Sequence, residues 1–347
     1  MSIESIDWGR LDGKTVTLYT LKAGDLLMKV TNYGGIITEL HAPGRAGVAD
    51  IVLGFDRLDG YIAGHPYMGA IAGRCANRIA GGRFDFEGRP IQLARNHSNR
   101  DHLHGGVKGF DKYVWDAFAT TTDDGVALQL TRTSPDGEEN YPGELRTAVV
   151  YTLTRDHALR VDITATAKAP TICNIVQHTY WNLAGHASGD IRRHEMTLHA
   201  DRYTPVDSNL IPTGQILPVA RTPYDFLKPK AIGRDLIHVG DAPRGYDTNF
   251  VLQGEPGTLR PAALVREPDS GRTLELLTDQ PGVQVYTGNF LDATLTGKGG
   301  ALYRQYQGLC LETQLFPDAV HHPSFPSVAL HPGQTYRHTM LHRFAVA

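Results

Sequence analysis

Glu312 is the only acidic residue in the short, strand-like run 308–314 (GLCLETQ). With a period of two, Glu312 shares one face of that strand with Cys310 and Gln314, while the leucines take the other face. An acid in such surroundings either projects into a cleft or is buried with its charge paired. A carboxylate in a cleft has the chemistry of a general base. The residues alone leave both possibilities open.

Three further polar residues lie in stretches that are otherwise aromatic or rich in glycine. His178 belongs to residues 177–182 (QHTYWN), whose aromatic and amide groups are of the kind that stack on sugars and hydrogen-bond to them. His104 precedes two glycines, which permit close approach of another backbone segment. Asp247 follows Gly245-Tyr246 and could simply cap a turn. Each signal is weak by itself, since a buried histidine bonded to a backbone carbonyl would explain His178 equally well.

Several other chemistries lack their motifs. Residues 297–299 (GKG) do not continue as a phosphate-binding loop or a dinucleotide fingerprint, and residues 185–189 (GHASG) place the serine wrongly for a nucleophile elbow. His102 and His104 could share a strand face and reach one metal ion. The carboxylate that would complete such a site is missing, because positions 108 and 109 are Lys and Gly. We therefore expect no nucleotide cofactor and no metal.

The elements that must position these residues are predicted to be strands. Apolar residues recur at every second position over 149–154 and again over 159–165, with a short loop between them that predicts a hairpin. No capped amphipathic helix of about twelve residues is present. Strand signals continue from about residue 14 to residue 345 without a linker, which predicts one large antiparallel β-sandwich and a single domain over residues 1–347. Similar hairpins are predicted at residues 84–93, 118–131 and 263–278.

Two long stretches lack strand alternation, namely residues 60–82 and residues 204–247. Both are rich in Gly, Pro and Asn. Long ordered loops on a rigid sheet scaffold commonly carry ligand contacts. These stretches predict where a ligand is bound, and they do not identify it.

Composition excludes some partners. The 34 Lys and Arg against 37 Asp and Glu give a formal charge of −3, so broad electrostatic capture of nucleic acid or of an anionic membrane is not expected. The three cysteines are distant from one another in sequence and form no disulfide or zinc pattern. The first residues do not resemble a signal peptide, and no window approaches 18 apolar residues. We expect a cytoplasmic protein.

Taken together, long segments of the chain resemble the aldose 1-epimerase family, whose members are also called galactose mutarotases. The segments follow the family's order and cover the chain nearly from end to end. Long ungapped blocks of this kind are far more specific than a short motif. They are residues 73–84 (GRCANRIAGGRF), 103–115 (LHGGVKGFDKYVW), 178–185 (HTYWNLAG), 204–214 (TPVDSNLIPTG), 245–250 (GYDTNF), 278–292 (TDQPGVQVYTGNFLD) and 308–327 (GLCLETQLFPDAVHHPSFPS).

The resemblance implies a galactose mutarotase-like β-sandwich and an isomerase that interconverts the α and β anomers of free aldoses such as glucose and galactose. It implies neither metal nor nucleotide. The family's catalytic glutamate corresponds to Glu312, its acid histidine to His178 and its second active-site histidine to His104. The family's sugar-binding residues correspond to Asn77, Arg78, Asp247 and Gln284.

Small departures from the family pattern fall outside these seven positions. Cys75 replaces a small aliphatic residue, and His321 and His322 lie where the family often carries Asn or Gln. These departures do not affect the expected reaction, but they bear on which sugar is preferred.

Stacking of an aromatic ring on the sugar is also expected, and core packing is at least as plausible for each candidate. The candidates are Trp181, Tyr286 and Phe290.

The implied reaction needs one base and one acid flanking the C1–O5 region of the sugar. The base removes the proton of the anomeric hydroxyl while the acid protonates the ring oxygen, and the hemiacetal opens. Glu312 should be ionised at pH 7 and His178 can be protonated, so their ordinary pKa values suit these roles. His104 would orient the sugar or stabilise charge on the ring oxygen.

Three alternatives stay open at this stage. A non-catalytic carbohydrate-binding protein of the same fold would not need the acid–base pair. A glycoside hydrolase would need a second carboxylate, for which Asp247 is the candidate. A mutarotase of phosphorylated sugars would need a clearer basic cluster. The expected partner is a monosaccharide substrate, and the chain is expected to act as a monomer or homodimer.

Overall fold

Strands make up most of the regular structure in the computed structural model, which describes residues 1–240 and 243–347. In chain order they are β1 (Ser2–Leu11), β2 (Lys14–Ala23), β3 (Leu26–Thr31), β4 (Ile37–Gly44), β5 (Gly47–Asp50), β6 (Ala70–Ala72), β7 (Arg78–Ile79), β8 (Arg83–Phe86), β9 (Arg89–Gln92), β10 (His102–Leu103), β11 (Asp116–Thr121), β12 (Gly125–Ser134), β13 (Leu145–Thr154), β14 (Ala158–Ala167), β15 (Thr171–Ile172), β16 (Val176–His178), β17 (Glu195–Leu198), β18 (Ala200–Thr204), β19 (Leu217–Pro218), β20 (Lys230–Ala231), β21 (Asp247–Leu252), β22 (Arg260–Arg266), β23 (Arg272–Thr278), β24 (Gly282–Tyr286), β25 (Asp292–Thr296), β26 (Leu302–Arg304), β27 (Cys310–Gln314), β28 (Ala329–Leu330) and β29 (Tyr336–Val346).

Helices are short throughout the described residues. The α-helix α1 (Leu58–Ile62) has five residues. No helix in this part of the chain is long and apolar enough to span a membrane. The 3₁₀ turns are Ala80–Gly82, Phe110–Lys112, Glu138–Asn140, Ile232–Arg234, Leu236–His238, Lys298–Gly300 and Ala319–His321.

The largest sheet has nine strands in the order β11-β12-β13-β14-β29-β23-β22-β17-β20, and every neighbouring pair is antiparallel. The predicted hairpin between residues 149–154 and 159–165 is confirmed, with Val149 opposite Ile163. Its inward side chains are buried at alternate positions because one sheet face lies on the core. The other three predicted hairpins are confirmed as β8-β9, β11-β12 and β22-β23.

Two five-stranded sheets complete the sandwich, in the orders β1-β2-β3-β4-β5 and β19-β18-β21-β24-β27. The first packs on the large sheet through contacts of β2 with β12 and β13 and of β4 with β23 and β29. The second contributes Phe250 of β21 and Val283 and Val285 of β24 to the same apolar cluster. One cluster therefore contains residues from all three sheets, and the predicted all-β sandwich is confirmed.

Two boundaries differ from the sequence prediction. The sheet begins at Ser2 rather than near residue 14, because β1 is an edge strand whose side chains show no alternation of burial. Residues 60–82 are not wholly loop, since they contain β6 and β7. These strands have only three and two residues, all buried, so no periodic pattern could reveal them. The strand β6 pairs with the strand that ends at His178, and β7 pairs with the strand that precedes His104.

Candidate active site

Glu312 lies in β27 and is only 2% exposed. Its neighbour across the ladder is Gln284 of β24, and the following strand, β21, brings Asp247 and Asn249 alongside. Leu311 points to the opposite side, into the apolar core, so the predicted alternation is confirmed. Antiparallel register thus assembles a row of carboxylate and amide groups on one face of three neighbouring strands.

His178 is the last residue of β16, which pairs with β6 so that His178 lies opposite Ala70. Its Nε2 lies 3.5 Å from Glu312 Oε1, and both side chains are almost fully buried. The Tyr180 ring is stacked on the imidazole, with 5.2 Å between ring centroids. Among the described residues, neither Nδ1 of His178 nor Oε2 of Glu312 has a hydrogen-bond partner. These buried polar atoms are free to hydrogen-bond to water or to a polar ligand.

Burial shifts the pKa values of His178 and Glu312 in opposite directions, because it disfavours the charged form of each group. It lowers the pKa of His178 to about 4. It raises the pKa of the Glu312 carboxyl well above the ordinary value; the like charge of Asp247 raises this pKa further, and Arg78 opposes the shift. Both shifts disfavour the charged forms, ionised Glu312 and protonated His178, that the roles inferred from sequence use.

His104 follows directly on β10, whose partner is β7. The backbone N–H of His104 donates to Asn77 O at 3.1 Å, and the backbone N–H of Asn77 donates to His104 Nδ1 at 3.2 Å. The His104 ring makes an edge contact with His178, at 5.2 Å between centroids. The close approach expected at the adjacent glycines is present, since a Cβ on Gly105 would lie 1.7 Å from Gly73 O.

Replacement of Gly105 by alanine is expected to destabilise the fold by about 2 kcal/mol or more, because the added Cβ collides with the Gly73 backbone and φ is +90°. Gly137→Ala is the matched control, since φ there is +81° and a Cβ meets nothing within 4 Å. That change should cost about 1 kcal/mol, from backbone strain alone. Urea unfolding of both variants measures the difference, and equal losses would contradict the packing argument.

The four remaining sequence-predicted residues surround the Glu312–His178 pair. Gln284 Nε2 donates to Asp247 Oδ1 at 2.6 Å. Arg78 Nη1 lies 3.6 Å from Asp247 Oδ2, with both side chains largely buried. Asn77 Oδ1 accepts the backbone N–H of Arg78 at 2.8 Å. The structure thus brings all seven sequence-predicted residues together, although they come from five different strands and the turns beside them.

Aromatic residues enclose the pair, but not all those named from sequence. Trp181 packs on His342 and Phe344 in the main core, so it is not a stacking residue of this site. Tyr286 lies 6.5 Å from the His178 ring and stacks on Phe290, which is 53% exposed. Tyr286 and Phe290 remain candidates for stacking on the sugar.

Tyr67 is a site residue that the sequence did not indicate. Its ring centroid lies 4.4 Å from that of His104 and 6.0 Å from that of His178. Its backbone is left-handed, with φ +60°, which is uncommon for an aromatic residue. No periodic pattern marks such a residue; the Gly- and Pro-containing surroundings at 64–69 are the only signal that could have indicated it.

A cavity of about 490 Å³ opens beside this site and shares Asp247 with it. His97, Phe290 and the stacked pair Tyr203 and Tyr224 also line its wall. Segments of the predicted long loop 204–247 form much of the rest of the cavity wall. The expectation that this loop lies at a ligand site is therefore consistent with the geometry.

One ligand atom from each of His104, His178 and Glu312 lies within 4.8 Å of the others, so the possibility of a metal site must be considered. A metal-bound histidine normally donates its second ring N–H to an acceptor. Here Nδ1 of His104 faces a donor, the Asn77 N–H, and Nδ1 of His178 has no acceptor among the described residues. The donor set does not fit a metal centre. His102 is not part of the group, because its ring nitrogens contact Ala94 O and Tyr141 Oη.

The fold is a β-sandwich that buries a carboxylate against an imidazole beside a row of hydrogen-bonding side chains, an arrangement suited to proton transfer on a small polar ligand. Comparison with known proteins gives the family. The family model described as aldose 1-epimerase matches residues 17–343. The chain belongs to the aldose 1-epimerase family and is an isomerase with aldose 1-epimerase activity.

Individual relatives agree over nearly the whole chain. A protein from Homo sapiens named galactose mutarotase is 47% identical over 338 residues, 96% of each sequence. A protein of the same name from Bos taurus is 47% identical over 340 residues, 97% of this chain and 96% of the relative. The crystal structure of galactose 1-epimerase from Lactobacillus acidophilus NCFM superposes with a TM-score of 0.87 at 28% identity, covering 100% of this chain and 99% of that one.

Proposed function

We propose that Glu312 is the base and His178 the acid in the anomer interconversion catalysed by this chain. The observation that carries the proposal is their apposition: two buried groups of opposite acid–base character, 3.5 Å apart, beside a row of hydrogen-bonding side chains. The anomeric and ring oxygens are both bonded to C1. An acid and a base that lie side by side can therefore reach the two oxygens together.

Each proton has a defined origin and destination. Glu312 takes the proton of the anomeric hydroxyl, the C1–O5 bond breaks, and His178 gives its Nε2 proton to O5. The open aldehyde rotates about C1–C2. Closure reverses the steps on the other face of C1, with Glu312 returning its proton to the anomeric oxygen and His178 recovering the proton of O5. The enzyme ends in the protonation state in which it began.

Burial suits this sequence of steps. In water, ordinary pKa values favour ionised Glu with protonated His over neutral Glu with neutral His. The reaction passes through both arrangements, so a strong preference for one would add to the barrier. Burial raises the pKa of Glu312 and lowers that of His178, which brings the two arrangements closer in free energy. The shifted pKa values thus support the assigned pair.

The proposed sugar contacts follow from hydrogen-bonding chemistry. Arg78 would donate charge-assisted bonds to sugar hydroxyls, and Asp247 would accept them. Gln284, held to Asp247 at 2.6 Å, would set the position of that carboxylate and add an amide contact. Asn77 would contribute its amide NH2, because its Oδ1 accepts the Arg78 N–H.

The proposed substrates are free aldohexoses, with D-galactose and D-glucose as the first to examine. The relatives named galactose mutarotase support galactose. The test is polarimetry of freshly dissolved α-D-galactose and α-D-glucose, which compares kcat/KM for the two sugars. We expect both to be accelerated. The substrate proposal would be wrong if the protein accelerated neither of them while accelerating a pentose.

The other functions considered from sequence have less support. A hydrolase would need Asp247 as a second catalytic carboxylate, but Asp247 is held by Arg78 and Gln284, two strands away from Glu312. Binding of a phosphorylated sugar would require cationic side chains. Among the described residues that line the 490 Å³ cavity, Arg100 is the one Lys or Arg. A purely binding function would not explain the Glu312–His178 pair.

The Asp247→Asn variant is expected to raise KM and to shift the pH profile. The charge of Asp247 helps to raise the pKa of Glu312, so its removal lets Glu312 ionise at lower pH. Activity requires ionised Glu312 and is lost as the pH falls through its pKa. The acid limb of kcat/KM should therefore move to lower pH. An acid limb that moved upward would contradict this assignment. Asp269→Asn, an exposed change, is the control.

We also propose that residues 1–347 form a single domain, which the apolar cluster shared by three sheets supports. The three cysteines are buried and free, which favours a cytoplasmic location. The chain would act on a monosaccharide as a monomer or homodimer, without nucleic-acid or membrane partners. Sedimentation analysis distinguishes the two oligomeric states.

A further inference from the structure

The protonation of the His104 ring can be inferred from its hydrogen bonds. A backbone amide can only donate, so the Asn77 N–H that points at His104 Nδ1 requires an unprotonated nitrogen there. A neutral imidazole carries one proton. If Nδ1 has none, the proton is on Nε2.

The backbone around this contact is held from several sides. Asn77 and His104 both have left-handed backbones, with φ of +60° and +49°. Their second bond, from the His104 N–H to Asn77 O, fixes the two segments against each other. Gly105 is pressed against Gly73 O on the other side. Strained conformations persist where the surrounding structure determines them, and here that structure determines the direction of one N–H group.

The electrostatic surroundings of His104 also disfavour an imidazolium. Its ring packs on Tyr67 and meets the edge of His178. Arg78 and Lys112 are close enough to lower the pKa of His104, in addition to the effect of burial. Glu312 is the one carboxylate in the His104–His178–Glu312 group, and no hydrogen bond joins Glu312 to His104.

We propose that the backbone N–H of Asn77 holds His104 as the uncharged Nε2–H tautomer. In this tautomer His104 is a fixed hydrogen-bond donor to a sugar oxygen. Asn77 is the positioning residue for that donor. The donor role rests on the proposed function, because it needs the sugar substrate. The assignment of the tautomer does not rest on it. His104 then does not exchange protons during the reaction. It stabilises negative charge on oxygen in the transition state, while His178 and Glu312 transfer the protons.

The direct experiment is NMR of protein labelled with ¹⁵N-histidine, with the His104 signals identified by their loss in His104→Gln. We expect an unprotonated Nδ1 and a protonated Nε2 that do not change between pH 5 and pH 8. A protonated Nδ1, or an imidazolium signal within that range, would overturn the proposal. The spectrum is read without turnover, so its outcome is separate from that of the proposed catalytic function.

Two variants of His104 test the role of the donor. The amide nitrogen of glutamine can take the place of Nε2, so His104→Gln should keep kcat within about tenfold of the wild type. His104→Glu offers only acceptors when ionised and should lose about 10²-fold or more, the usual effect of removing one such donor. Equal losses in the two variants would contradict a donor role.

Two variants of Asn77 test the positioning. Glycine tolerates a left-handed backbone, so Asn77→Gly should preserve the Nε2–H signature even if sugar binding weakens. Valine disfavours that conformation, so Asn77→Val should lose the single-tautomer spectrum and lower kcat. An unchanged His104 spectrum in a folded Asn77→Val protein would show that Asn77 does not set the tautomer.

Discussion

The Glu312→Gln variant is expected to lose about 10²- to 10⁴-fold in kcat for anomer interconversion, the range that one general base supplies. Glutamine keeps the size of the side chain and its place in β27, but it cannot accept the anomeric proton. Polarimetry of α-D-galactose measures the loss. KM should change little, because the flanking Asp247–Gln284 and Arg78 contacts are untouched.

The folded stability of this variant separates chemistry from structure. Glu312 is buried, and Oε2 has no partner among the described residues, so a neutral amide should be tolerated at least as well. We expect an unchanged or raised Tm. Glu275→Gln, on a half-exposed side chain of β23, is the matched control and should leave both Tm and kcat unchanged. A Glu312→Gln protein that was folded and fully active would disprove the assigned base.

The His178→Asn variant is expected to show a loss of similar size, about 10²- to 10⁴-fold in kcat, because the proton for O5 has no donor. The Glu312→Gln/His178→Asn double variant should be little worse than either single variant. Residues that act as a unit in one step are strongly non-additive. Polarimetry of the three variants on one sugar completes the comparison.

Additive losses in the double variant would contradict a shared proton-transfer step and would indicate two independent contributions. His157→Asn is the control for the histidine change, because His157 lies in the β13–β14 hairpin and is partly exposed. It should leave kcat unchanged.

The sheet architecture could be predicted from sequence wherever one strand face is buried and the other exposed. The β13–β14 and β22–β23 hairpins have that pattern. The Glu312 strand is buried on both faces, so only the alternation of its leucines with polar residues indicated a strand there. The strands β1, β6 and β7 could not be predicted. The first is an exposed edge, and the other two are too short and too uniformly buried to alternate.

The residue types of the site could be named from sequence through the family resemblance, but their arrangement could not. The contact between His178 and Glu312 joins β16 to β27, which are more than 130 residues apart in the chain. Tyr67 had no pattern to mark it, and Trp181 belongs to the core although its neighbours in sequence suggested a sugar contact. Protonation depends on burial, which the sequence does not show, so the lowered pKa of His178 could not be predicted.

The most direct test of proton transfer by Glu312 and His178 is polarimetry of freshly dissolved α-D-galactose in EDTA, with wild type, Glu312→Gln and His178→Asn side by side at equal concentration. We expect acceleration by the wild type that survives chelation, and rates close to that of buffer for both folded variants. A wild-type rate abolished by EDTA would contradict proton transfer by these side chains without a metal. So would a variant that retained most of the wild-type rate.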